Sequence, residues 1–307
     1  MSAADANPAP LDANRVRLIR SAGVASVLVA LTLVVLKSWA FLLTGSVALL
    51  GSLADSALDL LASLATFAAV RFALEPPDRE HRFGHGKLEA VAGLVQAVVI
   101  TGSALFVAYE ALRRLINPEP IASAGIGLLV MVISLVLTIG LVTYQRYVIR
   151  QTASLAIGAD SLHYVGDVLT SLAVLVAIGL SAWFGWYLAD PILGLVVVGV
   201  ILISVRSIVL QSLDVLLDRE LPGEQRAEII AVARRHGDVL GIHDLKTRTS
   251  GTHDFIQFHI ELDPGITLNR AHEICDAVET SVREAFPRAE VIIHADPHGL
   301  DEPQDSF

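Results

Sequence analysis

The chain has 307 residues, 53% of them apolar and 18% charged, with a formal net charge of −10. An ordinary soluble domain carries about 25% charged residues, and an acidic chain without a basic, aromatic-interleaved run offers little to nucleic acid. Its one cysteine, Cys275, excludes an intrachain disulfide framework and reads as a packing residue of a cytosolic domain.

The composition averages two regions. Charge is sparse up to Gln211 and dense after Asp218. The expected organisation is a tail over 1–14, a membrane domain over 15–212, a soluble domain over 213–299 and a short tail over 300–307. The first apolar run is too long for a signal peptide and lacks a cleavage site.

A membrane helix needs about 20 mostly apolar residues. Six candidates follow in chain order: Leu18–Leu43, Ser46–Phe72, Leu88–Leu115, Ile121–Tyr147, Ala153–Phe184 and Pro191–Leu210. Breaks fall at Thr44-Gly45, at Glu75-Pro76-Pro77, at Asn117-Pro118-Glu119-Pro120, at Arg150-Gln151 and at Asp190-Pro191, most of them at Gly or Pro. Arg15, Arg17, Arg20, Arg71, Arg79, Arg82, Lys87, Arg146, Arg150, Arg206 and Arg219 share one side if the helices alternate. Lys37, Arg113 and Arg114 mark the other side. The basic excess predicts both termini in the cytoplasm.

After Pro222-Gly223 the pattern is that of a soluble α+β domain. Glu224–His236 reads as an amphipathic helix. Asp244–Thr249 and Phe255–Leu262 read as strands, the second from strict alternation of Phe255, Gln257, His259 and Glu261 with Ile256, Phe258, Ile260 and Leu262. A helix capped by Thr267 or Asn269 runs to Phe286, and Glu290–His294 reads as a third strand. The order is αββαβ.

The second and fifth membrane segments carry the chemistry. Asp55 and Asp59 are four apart, as are His163 and Asp167, so each pair shares a helix face. Two helices then supply four ligands, which suits a tetrahedral N/O site. A carboxylate at mid-membrane costs about 2.5–3.5 kcal/mol on insertion scales, so several in two helices call for a cation, protons or water. The competing reading is that they hydrogen-bond between helices or line a wet cavity. Asp160, one turn before His163, reads either as lining an entry or as an interfacial charge.

A His with three carboxylates suits zinc or ferrous iron and lacks the thiolates that favour copper(I). Metal needs neutral imidazole and ionised carboxylates, so metal and protons compete for the same atoms. An intramembrane metalloprotease lacks its His-Glu-x-x-His pattern here. A passive channel needs weaker sites, and a metal sensor has no use for an intramembrane quartet.

These residues, with Gly45-Ser46-Val47-Ala48, the run from His81 to Glu89, Gly241-Ile242-His243-Asp244-Leu245 and Val291-Ile292-Ile293-His294-Ala295-Asp296-Pro297, resemble the cation diffusion facilitator family in its bacterial zinc/iron efflux branch. The resemblance covers nearly the whole chain after the tail. It implies a multi-pass inner-membrane homodimer that exports divalent metal by alternating access and proton antiport, with a cytoplasmic metallochaperone-like domain. It implies that Asp55, Asp59, His163 and Asp167 form the transport site. Asp78, His81 and His85 match a second site in a loop, and His243, His259, His272, His294 and Asp296 match a cytoplasmic binuclear site. A structural reading stays open for both. Ala295 stands where related sequences can have a Gln. Lys87 and Asp218 match a charged pair at the membrane–cytoplasm junction, beside Leu216 and Leu217, which could pack across a dimer. His163 in the fifth-helix pair ranks zinc first, with Fe2+ and Cd2+ also in range. The expected protein is a secondary transporter, not an enzyme, whose partners are divalent metal ions, protons, membrane lipid and a second copy.

Overall fold

A computed structural model describes residues 12–116, 125–186 and 188–299. The tails over 1–11 and 300–307 and the proposed break at Asn117–Pro120 lie outside the described residues. The chain divides into two compact units. One is Asn14–Leu213, and the described part of the other is Asp12–Ala13 with Asp214–Gly299.

The first unit is helical: α1 (Ala13–Thr44), α2 (Val47–Ala73), α3 (Leu88–Ile116), α4 (Gly125–Thr152), α5 (Leu155–Phe184) and α6 (Ala189–Leu216), the last running a few residues beyond it. All six are long and apolar enough to cross a membrane. Their outward faces expose Val35, Leu61, Val98, Phe106, Val136 and Ile203. Such surface is costly in water and at home in lipid. Several helices run past the predicted ends, because hydropathy sees only the apolar part of a helix whose last turns carry charge. Thus α4 continues from Tyr147 through Arg150 to Thr152, and α6 through Asp214 to Leu216.

The helix breaks have local causes. Gly45 takes φ 61° after α1, a left-handed conformation that glycine adopts without penalty. Its N–H bonds to the Phe41 carbonyl at 2.8 Å, and Ser46 then opens α2 in an extended conformation. Between α4 and α5 the turn falls on Ala153, φ 50°, which costs about 1–2 kcal/mol in a residue with a Cβ. Capping offsets it. The Ser154 hydroxyl accepts from the Ile157 N–H at 3.4 Å and donates to Glu89 at 2.8 Å. Glu89 also accepts from the Leu155 N–H at 3.0 Å. This buried carboxylate on α3 therefore sits at the positive end of α5, where an anion is favoured.

The second unit contains α7 (Gly223–Ala233), β1 (Gly241–Thr249), β2 (Asp254–Leu262), α8 (Leu268–Ala285) and β3 (Ala289–Pro297). The sheet order is β1-β2-β3, with β1 and β2 antiparallel and β2 and β3 parallel. A parallel pair needs a crossover, and α8 supplies it, capped by Thr267 through the Arg270 N–H. Ile229, Ile256, Phe258, Ile260, Ile274, Val278, Val282 and Val291 close one core between the helices and one face of the sheet. The strands are longer than predicted. His243 and Asp296, polar residues at strand ends, are held by ladder pairing that a hydrophobic pattern does not register. Cys275 packs against this core; burial and the neighbouring Asp276 push its thiol up, away from reactive thiolate.

Candidate metal sites

Inside the helical unit, Asp59, His163 and Asp167 each offer a ligand atom within 4.8 Å of the other two. His163 Nε2 lies 2.8 Å from Asp59 Oδ1. The imidazole is nearly enclosed, and the two carboxylates are half-buried. Asp55 lies outside this trio. It is one turn before Asp59 on α2 and exposed. The spacing of four places it on the correct face, but not at the point where α5 approaches.

Lys37, counted in the sequence among the helix-end charges, turns inward. Its Nζ donates to Ser56 Oγ at 2.7 Å and to the Ser52 carbonyl at 3.2 Å.

Asp160 is neither an entry lining nor an interfacial charge. It is 1% exposed. Its Oδ2 accepts from Ser26 on α1 at 2.6 Å and from Gln145 on α4 at 2.7 Å. Its Oδ1 accepts from Gln96 on α3 at 3.2 Å and from Ser63 on α2 at 3.5 Å. Four helices thus donate to one carboxylate on α5, one turn from His163. Ser63 also meets the Tyr164 hydroxyl at 2.8 Å. The signal was present as isolated Ser and Gln residues in apolar segments, but only the packing shows that they face one another.

The loop between α2 and α3 brings Asp78, His81 and His85 together. Asp78 Oδ1 lies 3.3 Å from His81 Nδ1, and Oδ2 lies 3.4 Å from His85 Nε2. The backbone N–H groups of His81 and Glu80 donate to Asp78 Oδ1 at 2.6 and 2.8 Å. The His81 N–H foremost, then the Glu80 N–H and the His81 imidazole, hold the Asp78 carboxyl below the usual carboxylate range. It is therefore an ionised ligand at neutral pH.

In the αββαβ unit, His243, His259 and Asp296 form a third trio. Asp296 Oδ2 lies 2.8 Å from His259 Nδ1 and 3.4 Å from His243 Nε2, while Oδ1 lies 3.0 Å from His294 Nε2. Strand alternation explains the set. His259 pairs with His243 on one side and His294 on the other, and Glu261 pairs with Asp296. All project from the sheet face opposite Phe258 and Ile260. A register shift between His243 and Lys246, with Asp244 at φ 51°, breaks the ladder just after His243, as bulges beside sites do.

Two expectations change here. His272 does not join this cluster within the chain: it is exposed on α8, 3.6 Å from Asp276 of its own helix. Ala295 pairs with the buried Ile260, so that position alternates to the other side of the sheet from His294 and Asp296. One residue escaped the reading although the alternation held it. Glu261 Oε1 lies 3.2 Å from His243 Nδ1, the nitrogen turned away from Asp296, and Oε2 lies 2.6 Å from His298 Nδ1. The contact with His243 is electrostatic, without hydrogen-bond geometry at Nδ1; a carboxylate placed behind an imidazole is the arrangement that orients a metal-binding ring.

Asp218 accepts from Arg248 at 3.1 Å within the second unit. Lys87 lies in the first, at the start of α3.

Residues 23–217 match the cation efflux transmembrane domain, and residues 221–298 match the cation efflux protein cytoplasmic domain. The chain belongs to the cation efflux family. Members named cation-efflux pump FieF are similar along nearly all of it. That of Klebsiella pneumoniae subsp. pneumoniae is 44% identical over 284 residues, 92% of this chain and 94% of the relative. That of Citrobacter koseri is 44% identical over 281 residues, 92% and 93% of the two chains. Among solved structures, the zinc form of the transporter CzrB is 34% identical, covering 28% of this chain and 99% of that one at TM-score 0.27. The metal-bound C-terminal domain of CzcD from Thermotoga maritima is 30% identical, covering 26% and 93% at TM-score 0.25. Membership makes the chain a multi-pass membrane transporter of metal cations, not an enzyme. It also carries the dimerisation-type cytoplasmic domain of the cation efflux family.

Proposed function

We propose that this transporter exports a divalent transition metal from the cytoplasm in exchange for protons. Zinc ranks first, and Fe2+ and Cd2+ are also carried. The working unit is an alternating-access homodimer in the inner membrane, with both termini cytoplasmic. The observation that carries the proposal is the convergence of Asp59, His163 and Asp167 between two apolar helices, with Asp55 joining when the ion is bound.

The geometry suits an exchanger. A tetrahedral zinc with bonds of about 2.0–2.1 Å holds its ligands roughly 3.3 Å apart. His163 and Asp59 are 2.8 Å apart, hydrogen-bonded to each other. Loading therefore opens this bond by roughly 0.5 Å, and release closes it again. His163 and Asp59 are each other's alternative partner, which keeps binding reversible. Protons enter the same balance, because metal requires neutral imidazole and ionised carboxylates.

The loop trio and the sheet cluster of His243, His259, His294 and Asp296 are proposed as further metal sites that respond to cytoplasmic metal. Lys87 and Asp218 are proposed as a charged pair at the junction.

The test is reconstitution in liposomes with a zinc dye inside and an imposed pH gradient. Zinc flux should follow the gradient. Flux indifferent to it would overturn proton antiport. Flux that survives both His163→Ala and Asp167→Ala would overturn the site.

A further inference from the structure

A lysine within an apolar helix is costly and is retained where it has work. Lys37 lies in α1, whose apolar core surrounds it in sequence. Its ammonium reaches across to α2 and touches it at two points, Ser56 Oγ and the Ser52 carbonyl. Ser56 is buried and directly follows Asp55, and Ser52 lies three residues before Asp55. The charge is thereby anchored beside the turn of α2 that carries the acidic pair. Both anchors are neutral acceptors.

We propose that Lys37 is a specificity-determining residue that sets the charge of the transport site. This rests on the transport-site reading above. Asp55, Asp59 and Asp167 supply three negative charges, and a neutral His163 supplies none. The Lys37 ammonium reduces the sum to two, which a divalent ion neutralises. Without it, the loaded site would keep an unbalanced negative charge inside the membrane, and the ion would be held too tightly to leave. Lys37 is bonded to serine and backbone rather than to the ligands, so its charge acts at a distance and leaves every ligand atom free for metal.

The prediction is a change opposite to that of ordinary damage. Lys37→Met keeps the length and apolar stem of the side chain and removes only the charge. A unit charge one helix turn away in a medium of intermediate dielectric is worth about tenfold or more in affinity. In zinc-dye liposomes under a fixed pH gradient, Lys37→Met should lower the KM for zinc about tenfold and lower kcat with it, because release slows. Lys37→Arg keeps the charge and should stay close to the parent in both. A KM that is unchanged or raised in Lys37→Met, with the protein eluting as the parent does in detergent, overturns the proposal. So does a Lys37→Arg variant that behaves like Lys37→Met. If zinc flux in the parent survives Asp167→Ala, the transport-site reading itself has failed, and this inference falls with it.

Discussion

Replacing Asp160 by Leu should destabilise the membrane unit and slow transport without removing a metal ligand. Four donors converge on this carboxylate, from Ser26, Ser63, Gln96 and Gln145. Three have another partner. Ser26 Oγ lies 3.0 Å from Ser63 Oγ, Ser63 meets Tyr164 at 2.8 Å, and Gln96 donates to Thr66 at 2.9 Å. The side-chain amide of Gln145, itself fully buried, donates to Asp160. Leaving a buried donor unsatisfied costs about 1–3 kcal/mol. Interhelical hydrogen bonds in membranes average nearer ~0.6 kcal/mol, because the unfolded helices find other partners. One stranded amide and three lost contacts sum to about 3–5 kcal/mol. Asp160→Asn keeps one acceptor oxygen and should cost less than half as much. Thermal melting in detergent, followed by loss of the monodisperse elution peak, measures the order: parent above Asn above Leu. Zinc flux in liposomes should fall in the same order, since His163 lies one turn along the same helix. An Asp160→Leu variant that melts and transports like the parent refutes the view that this carboxylate ties the helices.

The remaining expectations concern the other two clusters. Because the Asp78 carboxyl is held below the ordinary range, it stays ionised to lower pH than a free carboxylate does. Metal needs ionised carboxylate and neutral imidazole, so metal bound at the loop should be released on acidification. A cobalt titration of the full chain at low metal that holds its loop signal until pH 4 would show that the imidazoles are not ligands. Glu261→Gln removes the negative charge 3.2 Å from His243 Nδ1 and should weaken zinc at the cytoplasmic cluster about 10–100-fold, read by calorimetry against Asp296→Ala as the full-loss control. Parent-like affinity would make Glu261 a bystander. Gly241→Ala tests the same contact sterically, since a Cβ there would lie 2.6 Å from the Glu261 carboxyl carbon. It should push the carboxylate off His243 and weaken zinc in the same direction, with the far-ultraviolet circular dichroism unchanged.

The sequence by itself determined the six spans, the order αββαβ and the spacing of the ligand pairs. These are local properties. Twenty apolar residues, an alternating strand and a four-residue interval each express themselves within a single element, and helical or strand periodicity carries the face with it. That is why the Asp55/Asp59 and His163/Asp167 pairs could be named from spacing, whereas the loop trio of Asp78, His81 and His85 and the residues His243, His259, His294 and Asp296 were named through the family resemblance. Tertiary structure decided which of these meet. Whether α5 approaches α2 nearer Asp59 than Asp55 depends on helix packing, which no spacing within one helix encodes. The same holds for Asp160, whose four donors lie on four other helices at separations up to 134 residues. It holds also for Lys37, which looked like an interfacial charge until its amine was seen bonded to α2. On the sheet the alternation already placed Glu261 beside His259. What it lacked was the register that sets Glu261 against Gly241 and Asp296, and with it the reason for a glycine there.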